Sequence, residues 1–86
     1  MYRLEYSERA KKEIQSLPSQ KIKDQIEEAI LRLADHPDLG KNLKGGLAGL
    51  WAYRSGDYRI IYKFFKSELR ILIIALGHRR DIYRGI

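Results

Sequence analysis

The sequence predicts an α+β fold of order β-α-α-β-β-β, with a helical hairpin packed on one face of a mainly antiparallel sheet. Three observations carry this. Apolar residues from Ile22 to Leu33 recur at helical spacing, those from Leu50 to Leu76 fall into three strand-like runs split by short polar turns, and Tyr2, Leu4 and Tyr6 alternate with Arg3 and Glu5.

The elements follow in order. The period-two segment Tyr2–Tyr6 reads as a half-buried strand. Ser7 then offers a helix cap, Glu8 places an acid in the first turn where the helix dipole favours it, and Ala10, Ile14 and Leu17 share one face. Pro18 ends that helix and Ser19 caps a second one running to about Asp35, whose stripe is Ile22, Ile26, Ala29, Ile30 and Leu33. His36-Pro37 closes it, because the residue before a proline is pushed out of the helical region. Residues 38–49, with Gly40, Gly45, Gly46 and Gly49, read as a loop. Strands Leu50–Arg54, Tyr58–Phe65 and Leu69–Leu76 then form a meander, and the last, apolar on both parities from Ile71 to Leu76, should be covered on both faces or nearly so. On the middle strand, Tyr58, Ile60, Tyr62 and Phe64 are expected against the helices, so that Arg59 and Lys63 face the open side. Residues 78–84 read as a basic tail, too short for a substantial helix and too basic for core.

With 86 residues the chain is expected to be one domain, 1–86. Its net charge of +6 is uneven. Residues 1–49 hold nine basic and eight acidic groups, a net of +1, and residues 50–86 hold eight and three, a net of +5. A localised positive field favours a polyanion: nucleic acid, an acidic protein segment or an anionic membrane surface. Cysteine is absent, which excludes disulfides, thiolate metal sites and a cysteine nucleophile. The opening residues have no apolar signal core and no apolar run is long enough to span a bilayer, so a cytoplasmic protein without a membrane partner is expected. With 44% hydrophobic residues, including six Tyr, a core can form and the charge belongs to a surface rather than to a disordered tail.

No phosphate-cradling glycine loop, dinucleotide fingerprint, zinc-protease motif or calcium loop is present. The two histidines, His36 and His78, have no carboxylates at ligand spacing, so neither a metal nor a cofactor is expected. One reaction needs neither: cleavage of RNA by its own 2′-hydroxyl. The protein must then supply cations for the phosphorane and groups that move protons. Arg59, Arg79 and Arg80 suit the first role, because a guanidinium is always charged and grips phosphate oxygens with two donors. His78 and Tyr83 are candidates for the second. Each has a plainer reading: Arg59 as a solvated strand residue, Arg79, Arg80 and Arg84 as a solubilising tail, His78 as a turn residue, Tyr83 as packing on Ile82 or the sheet edge. Trp51 and Tyr53 could stack on bases or pack within the sheet.

Gly49-Leu50-Trp51-Ala52-Tyr53-Arg54-Ser55-Gly56-Asp57-Tyr58-Arg59-Ile60-Ile61-Tyr62, together with Ile73-Ile74-Ala75-Leu76-Gly77-His78-Arg79-Arg80-Asp81-Ile82-Tyr83, resembles the core of the RelE/ParE superfamily of bacterial and archaeal toxins. The resemblance spans nearly the whole chain. It implies a RelE-like microbial RNase fold, a toxin encoded beside a RelB-like antitoxin that wraps around it, and, on the RelE side, mRNA cleavage in the ribosomal A site by metal-free 2′-hydroxyl chemistry. The catalytic positions it implies are Arg59, Arg79 and Tyr83. Some RelE toxins carry two lysines at the positions of Leu50 and Ala52, so no lysine-assisted base carries over; Arg54 or Lys44 is left to supply positive charge there and His78 to carry a proton. Arg54, Lys63, Arg80 and Lys44 are the accompanying RNA-binding candidates. ParE-type members share the fold and poison DNA gyrase; a homologue reduced to a basic module that binds only its antitoxin or nucleic acid is a further alternative. The late tyrosine with its two upstream arginines favours the RelE side.

Overall fold

The computed structural model describes residues 1–78 and 82–86. Its elements are β1 (Arg3–Tyr6), α1 (Glu8–Gln15), α2 (Gln20–Asp35), β2 (Lys41–Asn42), β3 (Trp51–Ser55), β4 (Tyr58–Phe65) and β5 (Arg70–His78), with 3₁₀ turns at Pro37–Leu39, Gly45–Leu47 and Lys66–Glu68. The strands form one sheet of order β1-β5-β4-β3-β2, antiparallel throughout except for the parallel pair β1–β5. The α+β architecture expected from the sequence is present. One strand was not expected: β2 lies inside the 38–49 segment read as a loop, and pairs Lys41 with Ala52 and Asn42 with Trp51.

Both helices start where their serines place them. Ser7 Oγ accepts the Ala10 N–H at 3.0 Å and Ser19 Oγ accepts the Ile22 N–H at 3.2 Å, caps that each stabilise a helix by about 1 kcal/mol. The helical stripes, Ala10 on α1 and Ile26, Ala29, Ile30 and Leu33 on α2, bury against Ile60, Tyr62, Ile71, Ile73 and Leu76 of the sheet. Tyr62 is fully buried, while Tyr2, Tyr6, Tyr58, Trp51 and Tyr53 pack partly buried around that cluster. Trp51 and Tyr53 are therefore core-facing, not presented for base stacking.

The far face carries a second, smaller cluster, Ile61, Ala75 and Ile82, flanked by Leu43, Leu50, Ala52, Ile74 and Tyr83. Ile82 belongs to the segment read as a tail outside the core, yet it is 1% exposed. It anchors the 82–86 turn to the sheet.

Two local features set up the site. The first is a β-bulge: Ile61 pairs with Ala75 and Tyr62 with Ile73, leaving Ile74 as an extra residue on β5. Helix α1 satisfies the displaced backbone, as Ser7 Oγ donates to the Ile74 carbonyl at 2.6 Å and the Leu76 N–H donates to Glu13 Oε1 at 3.0 Å. The second is the Tyr62 phenol, which donates to the Pro37 carbonyl at 2.5 Å and accepts the Gly40 N–H at 3.1 Å. A Cβ at residue 40 would collide with that hydroxyl and lie 2.8 Å from the Ala52 carbonyl oxygen, so glycine is required there. Burial pushes the Tyr62 phenol up to about 12, the Gly40 N–H opposing it in part. The phenol thus tethers the chain just before β2.

Candidate active site

The site is built on the face of the sheet away from the helices. In the β3–β4 hairpin Arg54 stands directly opposite Arg59, and directly opposed like charges in a sheet are destabilising. No carboxylate pairs with either among the described residues. Two-residue hairpin geometry, with Gly56 at φ +61, fixes this register. Arg54 Nε donates to the Gly56 carbonyl at 3.0 Å. On its other side Arg59 pairs with Gly77 of β5; the space left by the missing side chain borders Ile82, whose Cδ1 would lie 3.7 Å from a Cβ at 77.

Tyr83 completes the arrangement. Arg59 Nη1 donates to Tyr83 Oη at 3.2 Å, while Arg59 Nε is buried and has no hydrogen-bond partner among the described residues. Leaving such a donor unmade costs about 1–3 kcal/mol, more for a charged group. Arg54, Arg59 and Tyr83, with Lys41, Leu43 and Ala52, line one depression of about 300 Å³. Three cations and a phenol therefore converge on a half-enclosed space, an arrangement suited to holding a tetrahedral or pentacoordinate phosphoryl group.

Of the residues singled out in the sequence, Arg59, Arg54 and Tyr83 come together. Lys44 does not line the depression; it is exposed ahead of the Gly45–Leu47 turn. Lys41 lines it instead, brought opposite Ala52 by the β2–β3 register. It sits beside Ala52, one of the two positions at which the resemblance marked a departure from lysine. Lys63 shares the face of Arg59 but lies four strand residues away, about 13 Å, with its ammonium over the Phe65 ring at 5.5 Å from the centroid. His78 lies on the helix side, its ring edge-on to Tyr58 with centroids 5.9 Å apart, in a separate hollow beside Glu13 and Leu17. Arg79 and Arg80 lie outside the described residues.

The opposite end of the same face is electrostatically closed. Arg70 bonds Glu5 at 2.9 Å and Glu68 at 3.0 Å and stacks on Phe65, 4.0 Å from its centroid. The Glu68 carboxylate first, then Glu5, holds the Arg70 guanidinium above its ordinary range. Among the described residues no three His, Asp or Glu side chains gather in a way that could hold a metal ion, and no helix is long and apolar enough to cross a membrane.

A helix-backed sheet with a cation cluster that no carboxylate pairs among the described residues, beside a late tyrosine, defines a small basic α+β protein with a phosphate-sized hollow. The chain belongs to the RelE/ParE superfamily of type II toxin–antitoxin toxins: residues 4–83 match the family model described as ParE toxin of type II toxin-antitoxin system, parDE. It is 31% identical over 84 residues to Toxin RelG of Mycobacterium tuberculosis, covering 96% of this chain and 97% of that one. It is 26% identical over 80 residues to the mRNA interferase toxin RelE of Escherichia coli, covering 91% and 83%. Among solved structures, the RelBE2 toxin–antitoxin complex of Mycobacterium tuberculosis superposes with a TM-score of 0.80 at 28% identity, covering 91% of this chain and 98% of that one.

Proposed function

We propose that this toxin is an mRNA endoribonuclease that acts on ribosome-bound message and stops translation. The observation that carries the reading is Arg59: among the described residues its buried Nε has no partner and no carboxylate pairs with it, and its Nη1 bonds a phenol. A phosphate oxygen supplies what Arg59 lacks. In this reading the RNA 2′-oxygen attacks the adjacent phosphorus while its proton passes to a solvent water, Arg59 and Arg54 stabilise the added charge of the phosphorane, and Lys41 stabilises the attacking oxygen as negative charge develops on it. Tyr83 Oη, already accepting from Arg59, keeps its own proton to give to the departing 5′-oxygen. Arg79 retains its assignment from the sequence as a further phosphate-stabilising cation. The ribosome supplies the second wall of a site that is open on one side, and a RelB-like antitoxin restrains the toxin; likeness to a toxin–antitoxin complex supports that partner.

Induction of the toxin followed by RNA end-mapping tests this. New 5′ ends within codons of translated messages are expected, and the Arg59→Ala, Arg79→Ala double variant should lose them. Intact mRNA during complete growth arrest overturns the reading. A second reading, inhibition of DNA gyrase, draws on the ParE description of the matching family model. It requires blocked supercoiling by the purified toxin and undisturbed translation in a DNA-free extract.

A further inference from the structure

Helix α1 does more than cover the sheet. Its Arg9 reaches the 82–86 turn and donates from Nη2 to the Ile82 carbonyl at 3.1 Å and from Nη1 to the Arg84 carbonyl. Its Nε is at the same time 3.2 Å from Glu13 Oε2, and the other oxygen of that carboxylate accepts the Leu76 N–H just past the bulge. Both side chains are about two-thirds buried, at 32% and 28% exposure. One planar fork thus clamps the carbonyls on either side of Tyr83, and its carboxylate partner is moored to β5. Because the clamp grips backbone, it fixes the position of the turn whatever side chains the turn carries. Gly85, at φ +76, closes the turn, and the Ile86 N–H returns to the Tyr83 carbonyl at 3.4 Å. Ile82 is the turn's only fully buried side chain among the described residues. A single apolar anchor would leave the neighbouring phenol free to swing about it.

We propose that Arg9 and Glu13 are positioning residues that brace the 82–86 turn and thereby hold the Tyr83 phenol on Arg59. As a statement about catalysis, this rests on the endoribonuclease reading above. The brace itself is a matter of geometry and is read separately. A displacement of about 1 Å at a reacting group costs up to about 10²-fold in rate.

The test is a double-mutant cycle in single-turnover cleavage on programmed ribosomes. Arg9→Ala should slow cleavage at saturating ribosome about tenfold and leave the half-saturating ribosome concentration within twofold. In a Tyr83→Phe background the same substitution should cost nothing further, because the group it positions is gone. Arg9→Lys, which reaches one of the three partners, should fall between, and carries the same comparison if Arg9→Ala does not fold. Equal losses in both backgrounds, or no loss in either, overturn the proposal. NMR cross-relaxation between the Tyr83 ring and the Arg59 side chain gives a readout independent of activity. It should weaken several-fold in Arg9→Ala, and unchanged cross-peaks overturn the brace. If the unsubstituted toxin cuts no mRNA, the endoribonuclease reading fails while the cross-peaks still decide the brace.

Discussion

Arg59 and Arg70 sit on the same face of one sheet and are treated in opposite ways. Arg70, where β1 meets β5, has a carboxylate on each side and a ring beneath it. Arg59, towards β3, faces another arginine across the hairpin, bonds a phenol, and has a buried Nε with no partner among the described residues. The first is a charge whose needs the fold meets internally. The second, with Arg54 and Lys41 beside it, is a charge whose needs the described residues leave unmet, and the proposed phosphate contact would meet them. A cross-strand pair of arginines violates the local rule for a stable sheet, and such violations concentrate where function requires them.

Substitutions at the two ends can break or sharpen this contrast. Arg59→Ala should lower single-turnover mRNA cleavage about 10²-fold, some 2.7 kcal/mol of transition-state stabilisation, whereas Arg70→Ala should leave it within twofold. Equal effects would erase the distinction. Next in size is Tyr62→Phe, which strands the Gly40 N–H and the Pro37 carbonyl and should cost about 1–3 kcal/mol in denaturant unfolding. The same variant carries a pH signature. The phenol is raised from 10 in the unfolded chain to about 12 in the folded one, so its contribution is complete below pH 10 and lost as the pH climbs through 12. The gap in stability between native protein and Tyr62→Phe should therefore shrink over that window. Lys41→Ala should slow cleavage about tenfold, in the same assay in which Lys44→Ala does nothing. The smallest effect belongs to the closed end: Glu68→Gln should change stability by no more than about 1 kcal/mol and cleavage not at all, as befits a partly exposed ion pair.

What could be read from the sequence depended on how local the signal was. Caps at Ser7 and Ser19, the helical stripes and the three-strand meander are written in short-range periodicity, and each is found. Arg59 was legible from strand parity, and Arg54 entered through the family resemblance; the hairpin register then sets the two opposite each other. Lys41 was not, because β2 is two exposed residues long and acquires its place only through its register with β3. His78 illustrates a different failure. Counted by strict alternation from Ile71 and Ile73, residue 78 falls on the side of Arg59; the extra residue at Ile74 reverses parity beyond it, so Leu76 joins the helix-side core and His78 meets Tyr58. A bulge has no local sequence signature here, since its displaced backbone groups are met by Ser7 and Glu13 of a distant helix. Ile82 was hidden for a similar reason, a lone apolar residue among charges whose burial depends on the gap opposite Arg59.

The parallel pairing of β1 with β5 has a consequence for when the site exists. Ser7 waits for a partner 67 residues further along, and Arg9 for one 75 residues further. A chain in synthesis emerges from its N-terminus, and contacts so distant in sequence close late. While the message is still being decoded, Lys41, Arg54 and Arg59 can already share a hairpin and its short edge strand, but the phenol, the bulge that orients β5 and the guanidinium clamp have nothing to join. Assembly of the site is thus deferred until the segment from Ile74 to Arg84 has been delivered, a built-in delay for a protein proposed to cut the messages from which proteins are made.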